Sequence, residues 1–166
     1  MALPSIKDMA PRCILKRFGI TALVAIIVAR FGPLHKRPYR AAAADGSLRD
    51  RIWIGDYGER VSRSWLRGRG HTLLARNFKG RNGGEVDIIA RQGKLLLFIE
   101  VKTRNANTRI RPFDAVNKEK QQLIERGANQ WLKRLGSRNL PWRFDVIEVL
   151  VTEGEKPAIN HIKDAF

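Results

Sequence analysis

The chain has 166 residues, enough for one ordinary domain, and carries 32 Lys+Arg against 16 Asp+Glu, a formal net charge of +16. Its single cysteine, Cys13, excludes an intramolecular disulfide and a multi-cysteine zinc site, and points to a reducing, cytoplasmic setting. The positive excess is spread along the whole chain and implies a polyanionic partner, nucleic acid ahead of an anionic membrane surface.

Phe18 to Ala29 is an uncharged run flanked by Lys16, Arg17 and Arg30. It falls short of the ~20 apolar residues that a spanning helix needs. As a signal peptide it lacks a nearby cleavage site, since the small residues Ala41 to Ala44 lie too far downstream. Arg37 to Arg49, with Pro38, Gly46, Ser47 and no apolar period, reads as a linker. Residues 1–48 are therefore expected to be a peripheral N-terminal extension, and 49–166 the working domain. Membrane contact through residues 18–29 is not expected.

From Asp50 to Gly68, Tyr57, Val61 and Trp65 recur at helical spacing with Leu66 beside them, and glycines 68 and 70 end the pattern. His71 to Phe78, Glu85 to Ala90 and Leu95 to Thr103 are apolar runs separated by glycine-bearing turns, and read as strands. Val116, Leu123, Ala128, Trp131 and Leu135 mark one face of a second helix from about Asp114 to Leu135, stopped by Gly136. Arg143 to Val151 and Ala158 to Ile162 are two last strands. The expected fold is α/β, a mixed central sheet with helices packed on it.

The chemistry concentrates in the hairpin from Gly84 to Arg104, where Asp87, Glu100 and Lys102 interrupt strands otherwise apolar on both faces. Buried charge is costly unless it is paired or ligates a cation. A two-residue loop at Gln92-Gly93 would pair Ala90 with Leu95, Asp87 with Phe98 and Glu85 with Glu100. Any loop of even length puts Glu85, Asp87, Glu100 and Lys102 on one face, and an odd loop separates Asp87 from Glu100. Two carboxylates so placed repel unless protonated or bridged by a cation, and oxygen ligands suit Mg²⁺ or Mn²⁺ rather than zinc. Lys102 can orient an attacking water and offset charge building on a phosphate.

Helix Glu, strand Asp and strand Glu-x-Lys, in that order, resemble the PD-(D/E)xK nuclease superfamily. Gly58-Glu59, Ala75 to Ala90, Phe98 to Arg104, Lys120-Gln121, Arg143 to Val146 and the terminal Ile162 to Phe166 are similar, more closely, to the YraN-like family of uncharacterised bacterial proteins. The resemblance implies a restriction-endonuclease-like core similar to Holliday junction resolvases, metal ligands at Asp87 and Glu100, a catalytic Lys102 and a supporting acid at Glu59. It runs from about Gly55 to Phe166. Val86 stands where the superfamily name has proline. Glu59, at the margin of the helix's apolar face, either leans toward the sheet or pairs with Arg63 on the surface. A homodimer follows from resolvase analogy alone.

Arg60, Arg63 and Arg67 recur on another side of the first helix, while Arg76, Lys79 and Arg81 lie near the acidic strand. These, with Arg104 and Lys120, are the expected nucleic-acid contacts. His35, His71 and His161 show no ligand spacing, the glycines at 80, 83 and 84 read as a turn, and Asp145 is expected to hold an arginine or lysine. Trp65 and Trp131 are expected in the core. The reading is a Mg²⁺- or Mn²⁺-dependent endonuclease on DNA, recognising branches, flaps or junctions because no base-reading element is visible. Its alternatives are a nucleic-acid-binding module with a vestigial or partner-dependent site, and a membrane-surface protein using residues 18–29.

Overall fold

The computed structural model describes residues 32–81, 83–106, 117–136 and 139–166. The apolar run 18–29, Cys13 and the expected helix start at Asp114 and Val116 lie outside them.

Asp50 opens the first helix because its carboxylate accepts the backbone amide of Trp53 at 2.7 Å. This helix, α1, spans Arg51–Gly68 and buries Tyr57, Val61 and Leu66. The strands follow as β1 (Thr72–Lys79), β2 (Glu85–Gln92) and β3 (Leu95–Asn105). Asn117 caps the second helix by accepting the amide of Lys120 at 2.9 Å, and α2 runs Lys118–Arg134. β4 (Trp142–Val151) and β5 (Ala158–Ile162) close the chain.

The sheet has the order β1-β2-β3-β4-β5, antiparallel throughout except for the parallel pair β3–β4, which α2 connects. Tyr57, Val61 and Leu66 of α1 pack with Ile88, Ala90, Leu97, Ile99, Ile147 and Val149. On the other face Ile124, Ala128 and Leu132 of α2 pack with Val86, Ile89, Leu96, Phe98, Phe144 and Val146. The central strands are apolar on both faces because both faces are covered. The architecture is a restriction-endonuclease-like α/β core, a mixed sheet flanked by helices. Among the described residues no helix is long and apolar enough to cross a membrane.

Three expectations are corrected. First, the segment read as a linker is folded onto the domain. Leu34–Lys36 form a 3-10 turn, Tyr39 pairs with Glu153 as an isolated bridge, and Tyr39 is only 4% exposed within the α1-side core. Its ring stands 5.2 Å from that of Tyr57. A composition rich in proline, glycine and charge conceals a single aromatic anchor.

Second, α2 buries Ile124, Gly127, Ala128 and Leu132 rather than a face running from Leu123 to Leu135, and Leu135 is 44% exposed. The cause is a close approach at Gly127. A Cβ there would lie 2.8 Å from Val86 Cγ2 and 3.1 Å from the Glu85 amide, so the helix turns its glycine to the β1–β2 turn. Leu123 and Trp131 are left half-buried on its flank.

Third, the β2–β3 turn is Gly93-Lys94, since Gln92 pairs with Leu95 and Ala90 with Leu97. Gly93 takes φ 59°, the left-handed conformation that a tight hairpin reserves for glycine at its first position. The pairing is thus two residues away from the expected one. Parity is untouched.

Candidate active site

Continued one step past its last rung, the observed register would set Asp87 opposite Glu100 rather than Phe98. The regular ladder ends at Ile88–Ile99, and beyond it the Val101 amide donates to Asp87 Oδ2 at 2.8 Å. The two strands are held there by a side chain. Glu100 is 2% exposed. Its Oε1 accepts Lys102 Nζ at 2.7 Å, while Oε2 is paired at 3.4 Å with Lys120 Nζ, from the first turn of α2.

Burial, reinforced by the neighbouring Glu100, pushes the Asp87 carboxyl up to about 7. Burial works against the charge of Lys120, but Glu100 and Asp87 outweigh it and hold the ammonium above its ordinary value. Two acids and two ammonium groups therefore share one water-poor corner.

Glu59 arrives from α1, where Gly58 lets the helix settle against the Thr103 side chain of β3. Glu59 leans toward the sheet and also pairs with Arg63, though the pair is largely buried rather than on the surface. Its Oε2 stands 3.4 Å from Arg63 Nη1, and it also bonds the Asn77 side chain and acts electrostatically on Asp87. Burial raises its pKa, an effect that Arg63 partly offsets. Asn77 adopts φ 45°, a left-handed conformation that asparagine tolerates better than most residues.

The expected nucleic-acid contacts divide. Arg60, Arg63 and Arg76 line a groove between α1 and β1 together with Arg67. Arg63, only 9% exposed and paired with Glu59, forms its wall, while Arg60 pairs with Asp56 at 3.6 Å. Arg81 lines a separate hollow with Gln130, Lys133 and Arg134, and its amide donates to Gln130 Oε1 at 2.7 Å. Lys79 is exposed on β1, Arg104 is half-buried on β3, and Lys120 is committed to Glu100.

Sequence reasoning missed Asn77, whose signal is its backbone, and Glu148, which the β3–β4 register places beside Lys102. Glu148 is buried, with Oε2 accepting Asn160 Nδ2 at 3.0 Å and Oε1 unpartnered among the described residues. An acid inside the apolar run from Phe144 to Val151 was the available clue. Asp145, on the α1 face of the sheet, holds Arg143 at 2.7 Å and His161 at 2.7 Å, and it also accepts the Asp164 amide. Burial disfavours its charge, yet these donors keep the carboxyl below its usual value. His161 is thereby a structural partner, His71 bonds the Leu66 carbonyl, and His35 bonds Ser64.

Among the described residues no cluster of three or more His, Cys, Asp or Glu side chains is placed to hold a metal ion. The described residues therefore assemble no all-protein cage of the zinc kind. The Asp87–Glu100 pair, with Glu100 Oε2 held only by Lys120 at 3.4 Å, fits an ion that is bound through one or two carboxylates and keeps several waters, which describes Mg²⁺ and Mn²⁺.

The model of a family described as uncharacterised protein family UPF0102 matches residues 58–149, the stretch that contains Glu59, Asp87, Glu100, Lys102 and Lys120. A UPF0102 protein of Geotalea uraniireducens is 42% identical over 113 residues, covering 68% of this chain and 88% of its own. One from Trichlorobacter lovleyi is 44% identical over 115 residues, covering 68% and 89%. A third, from Alkaliphilus metalliredigens, is 39% identical over 113 residues, covering 68% and 96%.

Proposed function

The chain belongs to the uncharacterised protein family UPF0102, the YraN-like family its motifs resemble, and we propose that it is a metal-dependent endonuclease that hydrolyses phosphodiester bonds in branched or junction DNA. The observation that carries this reading is the desolvated Asp87–Glu100 pair with Lys102 seated on Glu100 at 2.7 Å.

Asp87 and Glu100 would hold Mg²⁺ or Mn²⁺, which supplies Lewis-acid stabilisation of a phosphate oxygen when bound. Val101 fixes the Asp87 carboxylate by donating its amide to Oδ2, leaving Oδ1 for the ligand. The ammonium of Lys102 orients the attacking water and offsets charge on the phosphate, and its exchange between Glu100 and the substrate is the motion the site requires. Glu59 holds Arg63 at the wall of the groove. Arginines there take phosphates whatever the sequence, which agrees with recognition by shape. A two-fold branched substrate would engage two copies of the chain, so a homodimer is part of this proposal.

The test is cleavage of labelled single-strand, duplex, flap, fork and four-way-junction DNA with Mg²⁺ or Mn²⁺, by wild type beside Asp87→Asn and Lys102→Ala. Cleavage lost in both variants with binding retained supports the reading. Binding without cleavage of any substrate favours a second one, a nucleic-acid-binding module with a closed site. The observation behind that reading is that Lys102 and Lys120 already neutralise Glu100.

A further inference from the structure

We propose that the groove between α1 and β1 takes a single, unpaired strand of nucleic acid and leads it toward Asp87 and Glu100, which makes a free single-stranded arm the part of the substrate that this protein recognises. The proposal rests on the endonuclease reading for what happens at the acidic pair, and on the groove alone for what is bound.

The groove has a volume of about 530 Å³, and its lining combines two chemistries. Arg60, Arg63, Arg67 and Arg76 supply positive charge, and Arg67 and Arg76 have no acidic partner among the described residues. Burial, and after it the nearby charges of Arg76 and Arg67, disfavours the Arg63 cation that Glu59 supports. Such crowding is relieved by an anion lying among the guanidinium groups.

Between the arginines the lining is Ser64 and an apolar stretch built from Leu34, Leu73, Leu74 and Ala75. Leu74 is there because β1 is irregular. Leu73 pairs with Ala90 and Ala75 with Ile89, so Leu74 is an extra residue with no partner on β2. The bulge leaves this leucine 38% exposed at the edge of the sheet.

An apolar floor flanked by phosphate-binding charges has no use on a duplex, which hides its bases and presents phosphates and groove edges. It suits a single strand, whose bases lie open to apolar surface while the backbone follows the cations. Continuity with the acidic pair runs through named contacts. Arg63 holds Glu59, Glu59 bonds Asn77 on β1, and Glu59 acts electrostatically on Asp87.

The experiment is fluorescence anisotropy on the full chain in EDTA, where no cleavage occurs, with single-stranded and duplex oligonucleotides of equal length over a salt series. The probes are wild type, Leu74→Ser, and the double variant Arg67→Gln with Arg76→Gln. Wild type should bind single strand about tenfold or more tighter than duplex. Leu74→Ser should weaken single-strand binding about fivefold and leave duplex binding unchanged. The double variant should weaken single-strand binding by about tenfold or more and flatten its salt slope by roughly 1.4. Equal losses for both nucleic-acid forms, or no loss, would overturn the proposal and leave only a general basic surface. All three side chains lie on the surface of the groove, and circular dichroism of each variant confirms that a loss is not unfolding. Failure of the endonuclease reading looks different: single-strand preference persists in EDTA while no substrate is cut with metal.

Discussion

Val101 gives its backbone amide to the Asp87 carboxylate at 2.8 Å, just past the last regular rung of the β2–β3 ladder. The same contact that holds the strands together aims an acid at Glu100. Asp87→Ala should therefore lose more than a functional group, because it leaves a partly buried amide without its acceptor. A cost of about 1–3 kcal/mol is expected. Asp87→Asn keeps an acceptor oxygen and should retain the fold. Denaturant unfolding of the two variants side by side checks the difference.

The charge of Asp87 has its own pH signature. Burial first, and Glu100 second, raise its carboxyl from 3.8 to about 7. The native state thus holds this proton more tightly than the unfolded chain. The stability so gained is full below the unfolded value and is lost as pH rises through about 7. In EDTA, Asp87→Asn should match wild type near pH 4 and become the more stable protein above pH 7, by a few kcal/mol at most. Thermal melts across that range decide it, and a constant difference at every pH would contradict the assignment.

Divalent cation should stabilise the protein only where both carboxylates are present. At about a hundredfold excess over its dissociation constant, Mg²⁺ or Mn²⁺ should add roughly 2.7 kcal/mol to wild type. Asp87→Asn and Glu100→Gln should show almost no gain. Chelation should return wild type to its metal-free melting temperature, a result that calorimetric titration can match with a direct binding isotherm.

Two helical glycines should answer alanine in opposite ways. Gly55 in α1 faces open space, so Gly55→Ala should stabilise by about 0.5–1 kcal/mol through helix propensity. Gly127 in α2 lies against Val86 and the backbone of Glu85. Gly127→Ala should destabilise by about 1–3 kcal/mol despite the same gain in propensity, because the backbone it meets cannot move aside cheaply. Urea midpoints of the two single variants are the measurement.

Tyr39 should matter as much as a residue of the sheet. Its ring packs against Tyr57 and Trp53, so Tyr39→Ala should cost about 3 kcal/mol. A chain beginning at Asp50 should be weakened at least as much as the point variant. Comparable stability of that shortened chain and the full one would show that the N-terminal strap contributes nothing.

The elements were readable because most rest on local signals: helical spacing in α1, apolar runs in β2 to β4, glycines at the turns. Asp87, Glu100 and Lys102 could be brought to one face by parity alone, since an even-numbered turn preserves it even when the register is two residues off. What resisted reading is set by distant partners. No local pattern reveals that Gly127 meets Glu85 or that Tyr39 packs beside Tyr57. Glu148 was hidden for the opposite reason. Its strand is otherwise core beyond Asp145, and the significance of this second acid depends on Lys102 standing alongside.

The strap that carries Tyr39 is moored by the far end of the polypeptide. The Tyr39 amide donates to the Glu155 carbonyl at 2.7 Å, the Gly154 amide returns a bond to the Tyr39 carbonyl at 3.0 Å, and Ala41 bonds the Glu153 carboxylate 112 residues away. During synthesis this tyrosine leaves the ribosome long before its berth exists, and it stays in water until the turn between β4 and β5 has been made. The beginning of the domain is therefore among the last parts to settle, and a nascent chain that stalls before that turn presents Tyr57 and Trp53 uncovered.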